Sequence, residues 1–241
     1  SMKKYIHLLY LIFFMFACNF SYIFAMPIGS SNNSSQYLVG IGDLSKYSCG
    51  VSYRIRERDA TAPGVPLTTM ESKRIMGYAG YDFTRWLTAY FTIGNDRTLF
   101  YHPTSSSSKA AFGAGVCFNI LNQDILAPLL FEDKILINAG LEYTASKGKY
   151  GENSIKWNEF FMSLRASIVN NIEGSKIFYP DSIALFVGPV YSNMRSSSFD
   201  ASKNFGYTAG LEVFYNEKVS LELGIENIDS SNFFGGIHIH F

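Results

Sequence analysis

From Phe205 to Tyr215 every second residue is apolar: Phe205, Tyr207, Ala209, Leu211, Val213 and Tyr215 alternate with Gly206, Thr208, Gly210 and Glu212, and only Phe214 breaks the rule. A period of two sends successive side chains to opposite faces of an extended strand. A chain dominated by it therefore folds as β-sheet with one greasy face and one that tolerates water. The pattern recurs along the sequence. Val51, Tyr53 and Ile55 alternate with Ser52, Arg54 and Arg56, and Ile137, Ala139, Leu141 and Tyr143 with Asn138, Gly140, Glu142 and Thr144. Phe160, Met162, Leu164, Ala166 and Ile168 alternate with Glu159, Phe161, Ser163, Arg165 and Ser167, and Val219, Leu221, Leu223 and Ile225 with Ser220, Glu222, Gly224 and Glu226. Ile183, Leu185, Val187 and Tyr191 repeat it, with Phe186 and Val190 out of step. No segment after the N-terminal region carries a sustained helical period.

With weaker segments at 73–82, 87–95, 110–121 and the last residues, the count is about ten strands of nine to fourteen residues, with eight as the alternative. That length suits a strand crossing a bilayer at a tilt. Longer, Ser-, Gly- and charge-rich connections are expected on one side, at 57–71, 97–109, 146–156, 195–203 and 229–232, and tight turns on the other, at 83–85 and 216–218. The connections near 122–133 and 171–181 are longer than that scheme predicts.

The second face decides between a soluble sandwich and a membrane barrel. On the clearly alternating strands the apolar face carries no charge, as lipid demands, because Arg or Lys there costs roughly 2–4 kcal/mol at mid-membrane. The other face mixes glycine with both signs of charge: Arg54, Arg56, Arg74 and Arg165 against Asp82, Glu142, Glu159, Glu212, Glu222 and Glu226. Inside a narrow closed barrel these can pair, filling the lumen without an unpaired buried charge. Closure itself follows from lipid, in which an open sheet edge would leave backbone groups unbonded. The expected fold is thus all-β, a closed antiparallel up-and-down transmembrane β-barrel. Trp86, Tyr101, Tyr150, Trp157 and Tyr179 are expected at the two membrane interfaces. Composition agrees, with charged residues at 17% and aromatics at 16%. Lys plus Arg and Asp plus Glu balance at 20 each, leaving no net field for nucleic acid.

Residues 1–25 read as a secretory signal peptide: Lys3 and Lys4, an apolar run over 5–17, then a more polar stretch ending at Ala25. A retained anchor and a lipoprotein signal using Cys18 are the competing readings. Ser1 before Met2 reads as a cloning remnant. Residues 26–44 would form a periplasmic segment and 45–241 the barrel. Cys49 and Cys117 fall on non-neighbouring strands with opposite facing, so no disulfide is expected.

Candidate sites are sparse. His238 and His240 share one face of the last strand, but no Cys or acidic partner at ligand spacing accompanies them, so hydrogen bonding to lumen Glu or Tyr is expected and no metal or cofactor. His102 lies beside the serine run 105–108 with Asp96 nearby, yet no nucleophile motif is present and no enzymatic activity is expected. Gly113, Gly115, Gly235 and Gly236 precede no helix and read as glycines that let a barrel wall curve. Three functions remain: a structural or surface-interaction barrel acting through its outer loops, a narrow channel with Arg54, Arg56 and Arg165 as a selectivity ring, and, behind these, a lipid-modifying enzyme.

The segment 211–241, LEVFYNEKVSLELGIENIDSSNFFGGIHIHF, resembles the last hairpins of small Gram-negative outer-membrane barrels of the OmpA, OmpX, OmpW and opacity-protein type, and 80–94, GYDFTRWLTAYFTIG, resembles their strand, tight turn and strand. The resemblance implies a bacterial outer-membrane location and a C-terminal insertion signal in Phe233, Ile237, Ile239 and Phe241. It also implies partners in outer-membrane lipid, in the barrel-insertion machinery, and in host or envelope ligands at the outer loops. It assigns no catalytic residue.

Overall fold

The computed structural model describes residues 46–62, 65–84, 86–101, 104–124, 134–150, 153–171, 182–196, 199–215 and 218–241. The expected signal peptide, the segment 26–44, His102, Tyr179 and the connections 125–133 and 172–181 lie outside the described residues. Eleven strands make one antiparallel sheet: β1 (Tyr47–Ala62), β2 (Val65–Thr84), β3 (Leu87–Tyr101), β4 (Thr104–Asp124), β5 (Lys134–Tyr150), β6 (Asn153–Asn171), β7 (Ser182–Ser196), β8 (Asp200–Ala201), β9 (Phe205–Phe214), β10 (Val219–Asn227) and β11 (Ser231–His240). Each long strand pairs with the next, β7 with β9, and β11 returns to β1 from Ser48 opposite His240 to Arg54 opposite Phe234. Ten staves close into an up-and-down barrel, which settles the count against eight. With the ring closed, the ladder has no open edge to satisfy.

The alternation sorts side chains as expected. Leu164, Val187 and Leu223 are 43%, 57% and 50% exposed on the outside, while Glu159, Glu212 and Glu222 point into the lumen and are buried. The three apolar residues that broke the pattern, Phe214, Phe186 and Val190, also point inward and are buried. The outside face is held in phase by one β-bulge in β4, where the register shifts between Asn119 and Leu121 and leaves Ile120 and Leu121 both exposed.

Three of the expected outer loops are not loops. Residues 57–71, 97–109 and 146–156 continue the ladders almost to the hairpin tips, with pairs as far out as Thr61 with Asp200 of β8, Tyr101 with Thr104 and Tyr150 with Asn153. β1 to β7 are therefore 15 to 21 residues long, whereas β9, β10 and β11 stop at 10, 9 and 10. The reason is an inversion of polarity without a change of phase. In β6, Phe160, Met162 and Leu164 face out and Glu159 and Arg165 face in, yet two residues earlier Lys156 and Asn158 face out and Ile155 and Trp157 face in. Near the tips the outer face is built for water and the inner face forms an apolar core. A search for continuous apolar–polar alternation stops where the two exchange roles.

Where β9 to β11 end, β8 takes over the wall. It bridges the far ends of β1 and β7 through Ala60 with Ala201 and Arg195 with Asp200, and the Ser202 amide donates to the Asp59 carbonyl at 2.9 Å. The connection between β7 and β9 is thereby folded into the mouth rather than left loose.

Inward glycines make room for rings, and Gly115 is one of them as well as a point where the wall can curve. A Cβ on Gly115 would lie 2.4 Å from the Tyr90 ring directly across the ladder, and one on Gly50 would lie 2.5 Å from that of Tyr78. Phe234 over Gly224 and Phe186 over Gly210 repeat the arrangement. Each aromatic lies flat against a neighbouring stave because that stave lacks a side chain there.

Candidate functional site

The functional candidates are the inside of the barrel and its rim, and the lumen is filled in tiers. The outer tier is apolar: Ala60, Met70, Phe100, Ile155, Trp157, Met194 and Phe199 are buried together, with Ala201 packed against them. Phe199 reaches in from the β7–β9 connection and meets the Phe100 ring at 5.9 Å and the Trp157 ring at 6.3 Å. Trp157 was expected in an interface girdle. It is 1% exposed and belongs to this plug. Trp86 and Tyr101 are exposed on the outside, Trp86 stacked 6.3 Å from Phe118.

Beneath the plug lies the charge network, and Glu159 is its centre. Its Oε1 takes hydrogen bonds from Arg56 and Ser192, and its Oε2 takes one from Arg74 at 2.5 Å. Arg56 also binds Glu226 at 2.9 Å, and Arg74 binds Asp96 at 2.7 Å. Asp96 additionally accepts from Ser72 at 2.7 Å. Arg58, buried beside them, donates to the carbonyls of Lys203 and Ser192 and so ties the folded-in connection to β7. Arg56, Arg58 and Arg74 face Asp96, Glu159 and Glu226, so three positive charges meet three negative ones.

A second polar group sits toward the start of β1 and the end of β11. Arg165 binds Glu222 at 2.5 Å, the Glu222 carboxylate lies 3.4 Å from His238 Nε2, and His238 Nδ1 shares a hydrogen bond of 2.8 Å with the Tyr78 hydroxyl. Arg54 does not join an ion pair among the described residues. Its guanidinium stacks 4.9 Å from the Phe161 ring and 5.7 Å from Phe234, while Arg165 lies 4.6 Å over Phe186. The three arginines of the selectivity-ring reading are thus each pinned to an aromatic face or a carboxylate. Glu142 accepts from Tyr90 and Thr144, Glu212 from Ser220, and Asp82 from Thr88 near the terminal end. Below them Leu136, Val169, Ala184 and Phe214 form a buried apolar floor. Between the tiers, a cavity lined by Arg54, Arg74, Thr92, Glu142 and Thr144 holds about 10 Å³, about the space of one water.

Sequence reading missed Arg58 and Asp96 as members of the network: Arg58 fell in the expected loop 57–71, and Asp96 fell just past the end of the strand segment 87–95, where it was read as a neighbour of His102. Asp96 is 0% exposed and engaged by Arg74 inside the lumen. Of the serine run, Ser108 donates to Asn95 at 2.7 Å. Among the described residues no cluster of three His, Cys, Asp or Glu is placed to hold a metal. Cys117 is buried in the lumen and Cys49 lies on the opposite face, and no disulfide joins them.

The outside divides into two zones. Around the lower barrel the outward side chains are apolar, for example Val51, Ile75, Ile93, Leu185, Leu221 and Ile237, all exposed. Phe233 and Phe241 continue this zone along and just beyond β11. Between β7 and β1 it is indented by an open groove of about 890 Å³ where Ala209 and Gly235 replace larger side chains. Above, at ladder partners on successive staves, the outward residues become polar: Lys73 opposite Arg97, Lys147 opposite Lys156, Asn158 opposite Arg195.

No protein-family model and no curated protein matches the chain. Among solved structures it is similar to an outer membrane channel from Pseudomonas putida F1, at 11% identity and a TM-score of 0.39 over 83% of this chain and 97% of that one. It is also similar to the beta domain of the Bordetella autotransporter BrkA, at 10% and 0.41 over 83% and 100%, and to the translocator domain of the autotransporter NalP from Neisseria meningitidis, at 12% and 0.38 over 86% and 91%.

Proposed function

We propose that this chain is an integral barrel of a bacterial outer membrane, with a sealed lumen, whose role is structural or one of surface interaction and is carried by the hairpins and the β7–β9 connection at its outer mouth. The observation that carries the reading is the filling of the lumen: among the described residues an apolar plug, a charge-balanced Arg–Glu tier, a His–Tyr–Glu–Arg tier and an apolar floor succeed one another along it. A pore needs sites that an ion can enter and leave, and here the charged side chains already satisfy one another. The refolded chain is expected to show no steady conductance in planar bilayers. Reproducible unitary currents would favour the narrow-channel reading instead.

The membrane location is supported by the exposed apolar zone around a polar interior, a distribution that water would not stabilise. Leu164→Arg, on the outward face of β6, tests it. In phospholipid vesicles this substitution is expected to cost roughly 2–4 kcal/mol in the folding equilibrium. A Leu facing water would tolerate the change within about 0.5 kcal/mol, and such a result would argue against lipid contact. In the same reading Phe233, Ile237, Ile239 and Phe241 form the strand offered to the barrel-insertion machinery, and no catalytic residue or cofactor is assigned.

A further inference from the structure

The polar zone above the apolar belt is unevenly charged. On the side of β1, β2 and β8 it is neutralised locally: Lys73 binds Glu71 at 2.8 Å, Lys203 approaches Asp229 at 3.5 Å, and Glu57 and Asp59 face outward beside them. Across β5, β6 and β7 it is not. Lys147 and Lys156 stand directly opposite each other on the same exposed face, and Arg195 is exposed one stave further, opposite Asn158. Among the described residues these three cations form no ion pair. Arg195 donates only to Asn193, at 3.3 Å, although Asp200 is its ladder neighbour. Like charges directly opposite across a ladder are destabilising, and no described carboxylate relieves this pair, so it suits an added anion.

The level of the three cations tells which anion. Four residues along each stave, past the outward Ala145, Asn158 and Asn193, the same staves turn apolar at Tyr143, Phe160 and Tyr191. Adjacent strands lie about 4.8 Å apart, so the three cationic side chains span a surface about the size of one phosphorylated headgroup. In a bilayer this boundary is where the acyl chains end and the headgroup phosphates begin.

We propose that Lys147, Lys156 and Arg195 form a docking surface for the phosphorylated headgroup of an anionic lipid in the leaflet from which the long hairpins emerge. The proposal rests on the membrane-spanning reading above. It is tested with the full chain refolded in zwitterionic detergent, bound lipid being counted by native mass spectrometry against bis-phosphorylated lipid A and the same lipid dephosphorylated. The wild type is expected to retain the phosphorylated form preferentially. Lys147→Gln with Lys156→Gln should weaken that retention by about fivefold per lysine, whereas Lys73→Gln, which removes a cation already paired with Glu71, should not. The double variant should also unfold no earlier than the wild type in lipid-free detergent, where the repulsion is relieved, but earlier when lipid A is present. Equal retention of the dephosphorylated lipid, or unchanged retention by the double variant, overturns the proposal. Failure of the refolded chain to enter bilayers of any composition overturns the membrane reading together with it.

Discussion

Glu159→Gln is expected to be among the most damaging single substitutions in this protein, lowering stability in detergent micelles by about 3–5 kcal/mol. The glutamine fills the same space, so the loss would not come from packing. It comes from charge: Glu159 answers Arg56 on one oxygen and Arg74 on the other, and Asp96 and Glu226 alone cannot balance Arg56, Arg58 and Arg74. A buried guanidinium left without its counter-ion retains its desolvation cost and loses the attraction that offset it. Adding Arg74→Met should recover a substantial part of the loss, because the tier returns to two charges of each sign. Urea midpoints of the single and double variants, with the temperature at which the folded band collapses on a gel, check both statements. An E159Q midpoint indistinguishable from wild type would show that the tier is not charge-coupled in this way.

Trp157→Ala tests the outer plug. The side chain is 1% exposed and packs among Phe199, Met194 and Ile155, so truncation should cost about 3–5 kcal/mol, the range for deleting a large aromatic from a core. The expected damage is local as well as global. Phe199 is held by Trp157 and Phe100, and without it the β7–β9 connection loses its main apolar anchor, so trypsin should cut early at Lys203, which is exposed. Trp157→Phe should be far milder, because the indole N–H has no hydrogen-bond partner in the plug and nothing polar is orphaned by its removal. Were Trp157 in an interface girdle outside the barrel, truncation would leave no cavity and neither tryptic cleavage nor the midpoint would move far.

The two substitutions bear on opposite outcomes of sequence reading. Glu159 was legible as a lumen residue, since it directly precedes the alternating run Phe160, Met162 and Leu164 that must face lipid, and alternation fixes the rest. Trp157 was not, although it lies only two residues away on the same face of β6. The signal was present in the sequence: between Trp157 and Phe160 the apolar positions jump from odd to even numbers. A jump of that kind has two physical causes, an extra residue that slips the strand or a change in what bathes each face. Both occur here. At Ile120 the strand slips, and at Asn158 the surroundings change while the pairing runs on unbroken from Lys134 with Val169 to Tyr150 with Asn153.

The amino-acid sequence by itself determined that the part of the chain after residue 45 is built of β-strands, which side chains share a face along the belt, and that the charged face must turn inward, because a period of two and the cost of charge in hydrocarbon are local facts about each strand. Which carboxylate answers which arginine, how the glycines receive the rings, and that the long hairpins carry a core of their own were decided only by the closed barrel. Those contacts join residues as distant as Arg56 and Glu226, and the register that brings them together is set by all ten staves meeting at once.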